Sequence, residues 1–485
     1  MDILNKTIKK LSEEQYQELI MLVSGKKKNK PFQVLETSRN SDISDSEMME
    51  MLQVTASTYY TLKSRLNSKI ASLLSKNVDN PISELIDEVT KVPANLYGTN
   101  KEFSIRALKE LEKQLIEYDL SSELIVVYKT LSQLHLYTDD FSHYDKLYKR
   151  HVAFSLAVTK VEGLFYQFIK SAGNFKLTRK NEDFESLKNI KDQVTNICEL
   201  YDSHRMFAIN NIIKIYYLFL SDASIESLKA KELEIDNTLQ ELNKVFEKYN
   251  LDTFYQNIKF LPDFLYFEYY QKTGNQVRAD HYFEKSEKLL PELCAKHIMT
   301  FHVLEFLEHR IVKFLSDNDP DKLNDINILT AEYLDIDKSE VSNYVGHKQF
   351  QATSKFYTRD YSGAAKTINE LRNELSLKHY LHADVECKLF QALNYCVMGE
   401  DGLCTQILSS LKRQIKDHDE AYTSTKVFVK LLKSALKPAD YRRKIKKINS
   451  LWVEFKGLNN GPFAVLRNIE LDEITIRKMT NPIRE

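Results

Sequence analysis

The stretch Tyr269–Pro291, YYQKTGNQVRADHYFEKSEKLLP, decides the fold because it carries the signals of one αα-hairpin, a pair of antiparallel helices joined by a short turn. Gly274-Asn275 predicts the end of a first helix, since glycine readily adopts the left-handed conformation that follows many helices. In the second helix, the small Ala279 lets two antiparallel helices approach, and Phe283 fills the space between them. Pro291 is expected to end that helix. One such hairpin fits any helical protein, so its recurrence decides what it means.

Similar arrangements of small, aromatic and turn residues recur along the chain, and the two best further copies are about 40 residues apart. The copies comprise Tyr128, Leu131, Asp139, Phe141 and Tyr144; Ala352, Phe356, Asp360, Tyr361 and Ala364; and Ala392, Tyr395, Gly399, Cys404 and Leu408. Further helix breaks are expected at residues 172–174, 221–223 and 317–320. A repeated helical pair therefore explains most of the chain.

This spacing resembles the tetratricopeptide repeat family, in which Gly, Ala, an aromatic residue, a small residue and Pro occupy such intervals. The resemblance covers residues 100–455 and implies an irregular α-solenoid of roughly eight helical pairs. Such repeats stack one pair on the next and thereby build a concave surface. The resemblance implies that this surface captures an extended or helical segment of a partner.

The composition favours the same all-α class. The 485 residues include only 11 glycines and 9 prolines, each near 2% against average usage of about 7% and 5%, which indicates long helices and short connections. Hydrophobic residues make up 43% of the chain, which is enough to build a core. The formal net charge of −1 gives no sign of a polyanion partner for the whole chain.

Residues 48–74, MMEMLQVTASTYYTLKSRLNSKIASLL, resemble a helix-turn-helix. A first helix is predicted to stop at Gln53, and Thr55 or Ser57 to cap the second, whose apolar residues recur at helical spacing. The resemblance implies that the second helix enters the major groove of DNA. Its polar side would contact DNA through hydroxyls and lysines, namely Ser57, Tyr60, Thr61, Lys63, Ser64 and Lys69.

The charge of this region also fits a second interpretation. Residues 1–80 hold 12 Lys and Arg against 10 Asp and Glu, a weak positive balance for a domain that must hold a polyanion. An amphipathic hairpin used for docking or dimerisation has the same apolar pattern, so a homo-oligomer is one expected state. Polar residues around Asn80-Pro81 predict a boundary. We expect a helix-turn-helix-like domain at 1–79, a repeat domain at 80–457, and a capping helix with a tail at 458–485.

Motifs that carry chemistry are sparse. Two clusters of ionisable residues occur, but neither has the spacing of a metal site. They comprise His297, His302, Glu305, Glu308 and His309, and His379, His382, Asp384, Glu386 and Cys387. The sequence has no phosphate-binding glycine motif and no nucleophile elbow. It therefore predicts no catalytic residue, no metal site and no cofactor.

The C-terminal region is more basic than the N-terminal one. From Leu411 to Gly457 there are 13 Lys and Arg against 5 Asp and Glu. The densest part carries Arg442, Arg443, Lys444, Lys446 and Lys447. These residues would meet an acidic protein surface or a nucleic-acid backbone, or else form the solvated face of the last helices.

Localisation and redox state are predicted from simple features. The N-terminal residues lack the apolar segment of a signal peptide, and no window approaches 18 uninterrupted apolar residues. We therefore expect a cytoplasmic protein without membrane contact. The five cysteines contain no CxxC pair and are expected to be buried free thiols.

Two functions are compatible with these features. The first is an intracellular scaffold or regulator that binds a protein or peptide partner along the concave surface of the repeats. The second is a transcriptional regulator in which residues 1–79 bind DNA and the repeats sense a ligand. That architecture is similar to bacterial regulators that join a DNA-binding domain to a tetratricopeptide-like peptide receptor. An enzyme is not expected.

Overall fold

The computed structural model of the chain describes residues 4, 7, 8, 11, 13–24, 29–41, 43–76, 81–95, 100–221, 225–294, 300–316, 330, 334, 336–418, 420–438, 440–460 and 462–480. The chain forms two compact units, Met1–Gln114 and Leu115–Glu485. The boundary predicted at residue 79 lies inside the first of these units.

The regular elements of the described residues are all helical, with no strand among them, which confirms the all-α class. The first unit holds α1 (Glu13–Ser24), α2 (Lys30–Asn40), α3 (Asp45–Leu52), α4 (Ala56–Lys76), α5 (Pro81–Asn95) and most of α6 (Lys101–Glu117). The second holds α7 (Ser121–Leu134), α8 (Phe141–Thr178), α9 (Asn181–Cys198), α10 (His204–Leu220), α11 (Ile225–Ala230), α12 (Glu232–Lys248), α13 (Thr253–Ile258), α14 (Leu261–Thr273), α15 (Gln276–Cys294), α16 (Thr300–Ser316), α17 (Val341–Tyr357), α18 (Tyr361–Glu374), α19 (Leu381–Met398), α20 (Asp401–Gln414), α21 (Thr423–Leu436), α22 (Tyr441–Leu458) and α23 (Glu473–Thr480).

The first unit has a core of its own. Its buried side chains come mainly from α1 to α4 and include Leu19, Leu35, Leu52, Tyr59 and Leu66. The predicted turn after α3 is present, because Gln53 adopts a left-handed φ of 50°. Thr55 then caps α4 by accepting a hydrogen bond from the Thr58 amide at 3.4 Å. The predicted helix, turn and helix are therefore all found between residues 45 and 76.

The stretch Tyr269–Pro291 forms the predicted hairpin of α14 and α15. Gly274 has a φ of 79° and ends α14 in the left-handed conformation. Phe283 is buried and packs against Phe267 of α14, with ring centroids 5.6 Å apart. The second helix continues to Cys294, so the prediction that Pro291 ends it is wrong. A proline lacks one N–H donor, which weakens or bends a helix without having to end it.

Other consecutive helices also pack as pairs. α7 packs on α8, α17 on α18, α19 on α20, and α21 on α22. The turns predicted near residues 139, 359 and 399 each join the two helices of one pair, in the first three of these pairs. At two of them the chain turns through a left-handed residue, Arg359 with φ of 69° and Gly399 with φ of 76°. The hairpin at residues 269–291 therefore has several counterparts in the second unit.

The longest helix, α8, runs through the break predicted at residues 172–174, so that prediction is wrong. Gly173 lies inside the helix, where it permits close packing against another helix and does not form a turn. A Cβ atom at this position would lie 2.6 Å from Ser342 Oγ and 2.9 Å from Ser342 Cβ, which is too close for atoms in contact. The missing side chain therefore lets α8 touch the start of α17.

α8 contacts helices that are far from it in the sequence. Besides α7, α9 and α10, it packs against α17 and α19. In a regular repeat array each repeat contacts only its neighbours, so these contacts depart from the expected pattern. They bring the C-terminal end of α8 into contact with α17 and α19.

The end of the chain also differs from its prediction. The apolar residues between 463 and 471 predicted a capping helix, but this segment is irregular, and the helix of this region is α23. Side chains from elsewhere pair the backbone of the segment, which removes the need for helical hydrogen bonds. Tyr357 Oη accepts from the Glu470 amide at 2.8 Å and donates to the Asn468 carbonyl at 2.7 Å.

Several sequence features lie outside the described residues. These are the break at 317–320, most of the break at 221–223, the boundary residue Asn80, and the side chain of Cys294. The other four cysteines are free thiols, as predicted; Cys387, Cys396 and Cys404 are buried, and Cys198 is half-buried.

Among the described helices, α8 is long and apolar enough to cross a membrane by length and composition alone. Core helices of soluble proteins pass the same test. In this structure α8 packs against α7, α9, α10, α17 and α19, and 28% of its most apolar stretch is buried.

Candidate ligand-binding cavity

The second unit contains a cavity of about 260 Å³ between helices from distant parts of the sequence. α8, α10, α14, α16, α17 and α19 contribute most of its wall, and residues 464–469 contribute another part. At the density of liquid water this volume corresponds to about nine water molecules. The cavity therefore suits one large side chain or a short piece of peptide.

Two ion pairs line the cavity. Lys176 of α8 pairs with Glu305 of α16, and His309 of α16 pairs with Glu268 of α14. Burial raises the pKa of Glu268, but the charge and hydrogen bond of His309 outweigh burial and lower this pKa to about 2. Burial lowers the pKa of His309, whereas Glu268 raises it, and the net shift is upward. Both members of this pair are therefore charged near pH 6.

Glu308 differs from these four residues. It lines the cavity one helical turn after Glu305, yet its carboxylate forms no hydrogen bond or ion pair with any described residue. Burial raises the pKa of Glu308, and Lys176 opposes this effect. The carboxylates of Glu305 and Glu386 add to it, so the net shift is upward. An unpaired carboxylate in such a place costs stability in the ligand-free protein.

His382 lines the cavity from α19 and is only 2% exposed. Burial lowers the pKa of His382, and Arg179 and Arg467 lower it further, to about 3, so the ring is neutral at physiological pH. One ring nitrogen bonds to the Ala464 carbonyl, whereas Nδ1 has no hydrogen-bond partner. In the neutral ring this Nδ1 is an acceptor.

Glu386 links α19 to the C-terminal segment. Its Oε1 accepts from the Leu466 amide at 2.9 Å, and its Oε2 accepts from Gln349 Nε2 at 3.3 Å. Both donors are neutral, so the hydrogen bonds hold the carboxylate in place without cancelling its charge.

The cavity brings together the two ionisable clusters seen in the sequence. The first contributes Glu305, Glu308 and His309, and the second contributes His382 with Glu386 and Cys387. In the described part of the chain no group of three His, Cys, Asp or Glu side chains could hold a metal ion. The spacing within each cluster does not predict that the two meet. Charged residues on otherwise apolar helices were the sequence signal that could have identified these cavity residues.

The predicted DNA-contacting residues lie on α4 and are mostly exposed. Ser57, Thr61, Ser64 and Lys69 are exposed, and Tyr60 is 53% exposed. Lys63 is largely buried, with its Nζ 2.9 Å from Asp45 Oδ2. Lys69 Nζ donates to the Leu22 carbonyl at 2.7 Å. Both predicted phosphate contacts are therefore engaged within the first unit.

The C-terminal basic residues form a patch at the start of α22. Arg442, Arg443, Lys446 and Lys447 are exposed and form no ion pair with the described residues. Lys444 is half-buried and donates to the Ala435 carbonyl at 3.0 Å. Four of the five predicted residues are thus available to solvent.

The fold and the cavity place the protein in a broad class: it is all-α, and its second unit holds a partly open cavity lined by ionisable residues from α8, α14, α16 and α19 and from an irregular C-terminal segment. Comparison of the chain with models of protein families, with curated proteins and with solved structures finds no match. The resemblance to tetratricopeptide repeats stays a prediction.

Proposed function

We propose that this protein is a binding protein, a scaffold or regulator of the cytoplasm, whose second unit receives a short peptide or a segment of a protein partner in the cavity. The observation that carries this proposal is the set of polar atoms around that space that have no partner among the described residues. They include Glu305 Oε2 and His382 Nδ1, which are buried, and the carboxylate of the half-buried Glu308. Buried polar groups in folded proteins are nearly always paired, so a group of them around one cavity marks a site that a ligand completes.

The polarity of the wall supports a peptide over an apolar ligand. Anionic side chains, Glu268, Glu305, Glu308 and Glu386, and cationic ones, Lys176, Arg179, Lys272 and Arg467, all line the same space. A ligand that buries itself there must supply both hydrogen-bond donors and acceptors, which a peptide backbone does at every residue. The paired helices are also what the tetratricopeptide resemblance implies for a peptide receptor.

Titration of the full chain with short peptides tests this proposal. We expect at least one of the tripeptides Gly-Leu-Gly, Gly-Arg-Gly and Gly-Glu-Gly to raise the melting temperature, because a ligand at a hundredfold excess over its Kd stabilises the native state by about 2.7 kcal/mol. Thr353 lines the cavity, so Thr353→Phe should abolish the shift by filling the space. The same change at the exposed Thr159 on α8 is the control. No shift with any peptide contradicts the proposal.

A second candidate function is DNA binding by the first unit. The observation that favours it is the exposed polar face of α4, which follows a tight turn as in a helix-turn-helix and presents Ser57, Tyr60, Thr61 and Ser64 to solvent. The pairing of Lys63 with Asp45 speaks against it, because that cation is not available to a phosphate without breaking the pair.

A mobility-shift assay on the full chain decides this second candidate. If α4 enters the major groove, binding of duplex DNA should weaken steeply with salt, and Ser64→Glu should remove it by placing a negative charge against the phosphates. Ser450→Glu on the exposed side of α22 is the matched control. Binding that survives Ser64→Glu but is lost in Lys446→Glu would assign nucleic acid to the basic patch instead.

A further inference from the structure

Of the cavity-lining atoms without a partner in the described part of the chain, Glu305 Oε2, the Glu308 carboxylate and His382 Nδ1 accept hydrogen bonds, and Tyr216 Oη can donate or accept. The carboxylates of Glu305 and Glu308 have no proton to donate when ionised, and Nδ1 of the neutral His382 ring is likewise an acceptor. A ligand that satisfies these atoms must bring several N–H or O–H donors. Ammonium and guanidinium groups are the donor-rich groups of peptides, with three and five N–H donors and no acceptor.

The charges around Glu308 lead to the same chemistry. The carboxylates of Glu305 and Glu386 act on Glu308 from its own helix and from α19. The cations that act on it are Lys176 from α8 and His309 from its own helix. Each of these cations already has a carboxylate partner, Glu305 and Glu268 respectively. The neighbourhood of Glu308 therefore holds more negative than positive charge.

The other charged residues of the wall lie nearer to different partners. Lys272 of α14 acts on Glu268 and His309. Arg179 and Arg467 act on His382. None of these three cations is among the charges with the largest effect on the Glu308 carboxylate. The charges with the largest effect on Glu308 thus include two carboxylates, whereas those with the largest effect on His382 are two arginines.

We propose that the cavity binds a ligand through a cationic group, an alkyl ammonium or a guanidinium, which pairs with the Glu308 carboxylate. The ligand is a basic residue of a peptide, and a free small amine or guanidine shares the same chemistry. A charge-assisted pair of guanidinium and carboxylate is bidentate and about twice as strong as a neutral hydrogen bond. This inference rests on the proposed function and adds the class of ligand to it.

A pair of peptides that differ only in charge tests the inference. Calorimetric titration of the full chain with Gly-Arg-Gly and with Gly-citrulline-Gly, both acetylated at the N-terminus so that neither has a free ammonium, compares a guanidinium with its neutral isostere. We expect the arginine peptide to bind at least about tenfold more tightly, because only its side chain neutralises Glu308. Equal affinity for the two peptides overturns the inference and leaves the proposed function standing. Failure of both peptides, and of Gly-Leu-Gly, overturns both proposals.

Variants of Glu308 locate the effect. Glu308→Gln should bring the two affinities together, whereas Glu199→Gln on an exposed position should leave the preference unchanged. The ligand-free Glu308→Gln protein should also melt at a higher temperature than the wild type, because the amide removes an unpaired charge from the cavity. A preference for arginine that persists in Glu308→Gln contradicts the assignment. Should this variant not fold, the comparison of the two peptides in the wild type still decides.

The source of the cation is settled by a third titrant. n-Propylguanidine carries the guanidinium and alkyl chain of arginine without a peptide backbone. Binding of Gly-Arg-Gly at least about tenfold tighter than n-propylguanidine supports a peptide segment, since only the peptide then uses the rest of the cavity. n-Propylguanidine binding as tightly as the peptide assigns the site to a free small cation and overturns the peptide as ligand.

Discussion

Replacing Glu268 by glutamine should lower the free energy of unfolding by about 3 kcal/mol at pH 5.5. Glu268 is buried on α14 and pairs with His309 of α16. Without the carboxylate, His309 either stays charged without a partner or loses its proton, and both outcomes cost free energy. Chemical denaturation of the full chain measures the difference.

The pH dependence of this effect follows from the two pKa shifts. The pKa of Glu268 is lowered from 4.5 to about 2, so its contribution is present above pH 4.5 and is lost as pH falls towards 2. The pKa of His309 is raised above 6.5, so its contribution is complete below pH 6.5 and is lost as pH rises through the raised value. The wild type should therefore exceed Glu268→Gln most between about pH 4.5 and 6.5.

A double-mutant cycle isolates the pair from other effects. Glu268→Gln, His309→Gln and the double variant should show a coupling energy well above that of an exposed pair. Lys149 and Asp145 on α8, 2.7 Å apart and largely solvent-exposed, are the reference pair, for which we expect only about 0.3–0.5 kcal/mol. Equal coupling in the two cycles would show that the Glu268–His309 pair does not hold α14 to α16.

Gly173→Ala should destabilise the protein by about 1–3 kcal/mol, although alanine is the better helix former. The added Cβ would lie 2.6 Å from Ser342 Oγ, so α8 and α17 must separate or distort. At Gly163 on the same helix, an added Cβ would meet no neighbouring group within 4 Å, and Gly163→Ala should therefore stabilise by about 0.5–1 kcal/mol. The two glycines differ only in what faces them.

A second substitution tests the cause of the Gly173 effect. Ser342→Gly removes both atoms that the new Cβ would meet, so it should restore part of the stability lost in Gly173→Ala. Thermal unfolding of the four proteins measures this rescue. A destabilisation that Ser342→Gly does not reduce would place the cause elsewhere than in the contact between α8 and α17.

The hairpins of the second unit could be predicted from the sequence because their signals are local. Gly274 and Gly399 lie at positive φ, where the conformation itself favours glycine, and each marks a true helix end. Gly173 carries a similar signal, yet α8 runs through it. A glycine that permits a close approach and a glycine that permits a turn look the same in a sequence, because both are selected for a missing side chain.

The cavity could not be predicted for a related reason. Its wall depends on contacts of α8 with α17 and α19, which are separated from it by more than 160 residues in the chain. The apolar residues of the C-terminal segment have a helical period, yet Tyr357 and Glu386 pair its backbone and hold it irregular. Neither effect is visible from local spacing. The sequence shows the unusual charged residues of α16 and α19, but it does not show that they line the same cavity.

The affinity of the full chain for Gly-Arg-Gly, measured by calorimetry in the wild type and in Thr353→Phe, tests most directly that the cavity is the binding site. We expect saturable binding with one site per chain in the wild type and in the control Thr159→Phe, and a loss of at least about tenfold in Thr353→Phe, because the ring occupies the ligand's volume. Binding of equal strength in all three proteins would contradict a ligand site between α8, α16 and α19.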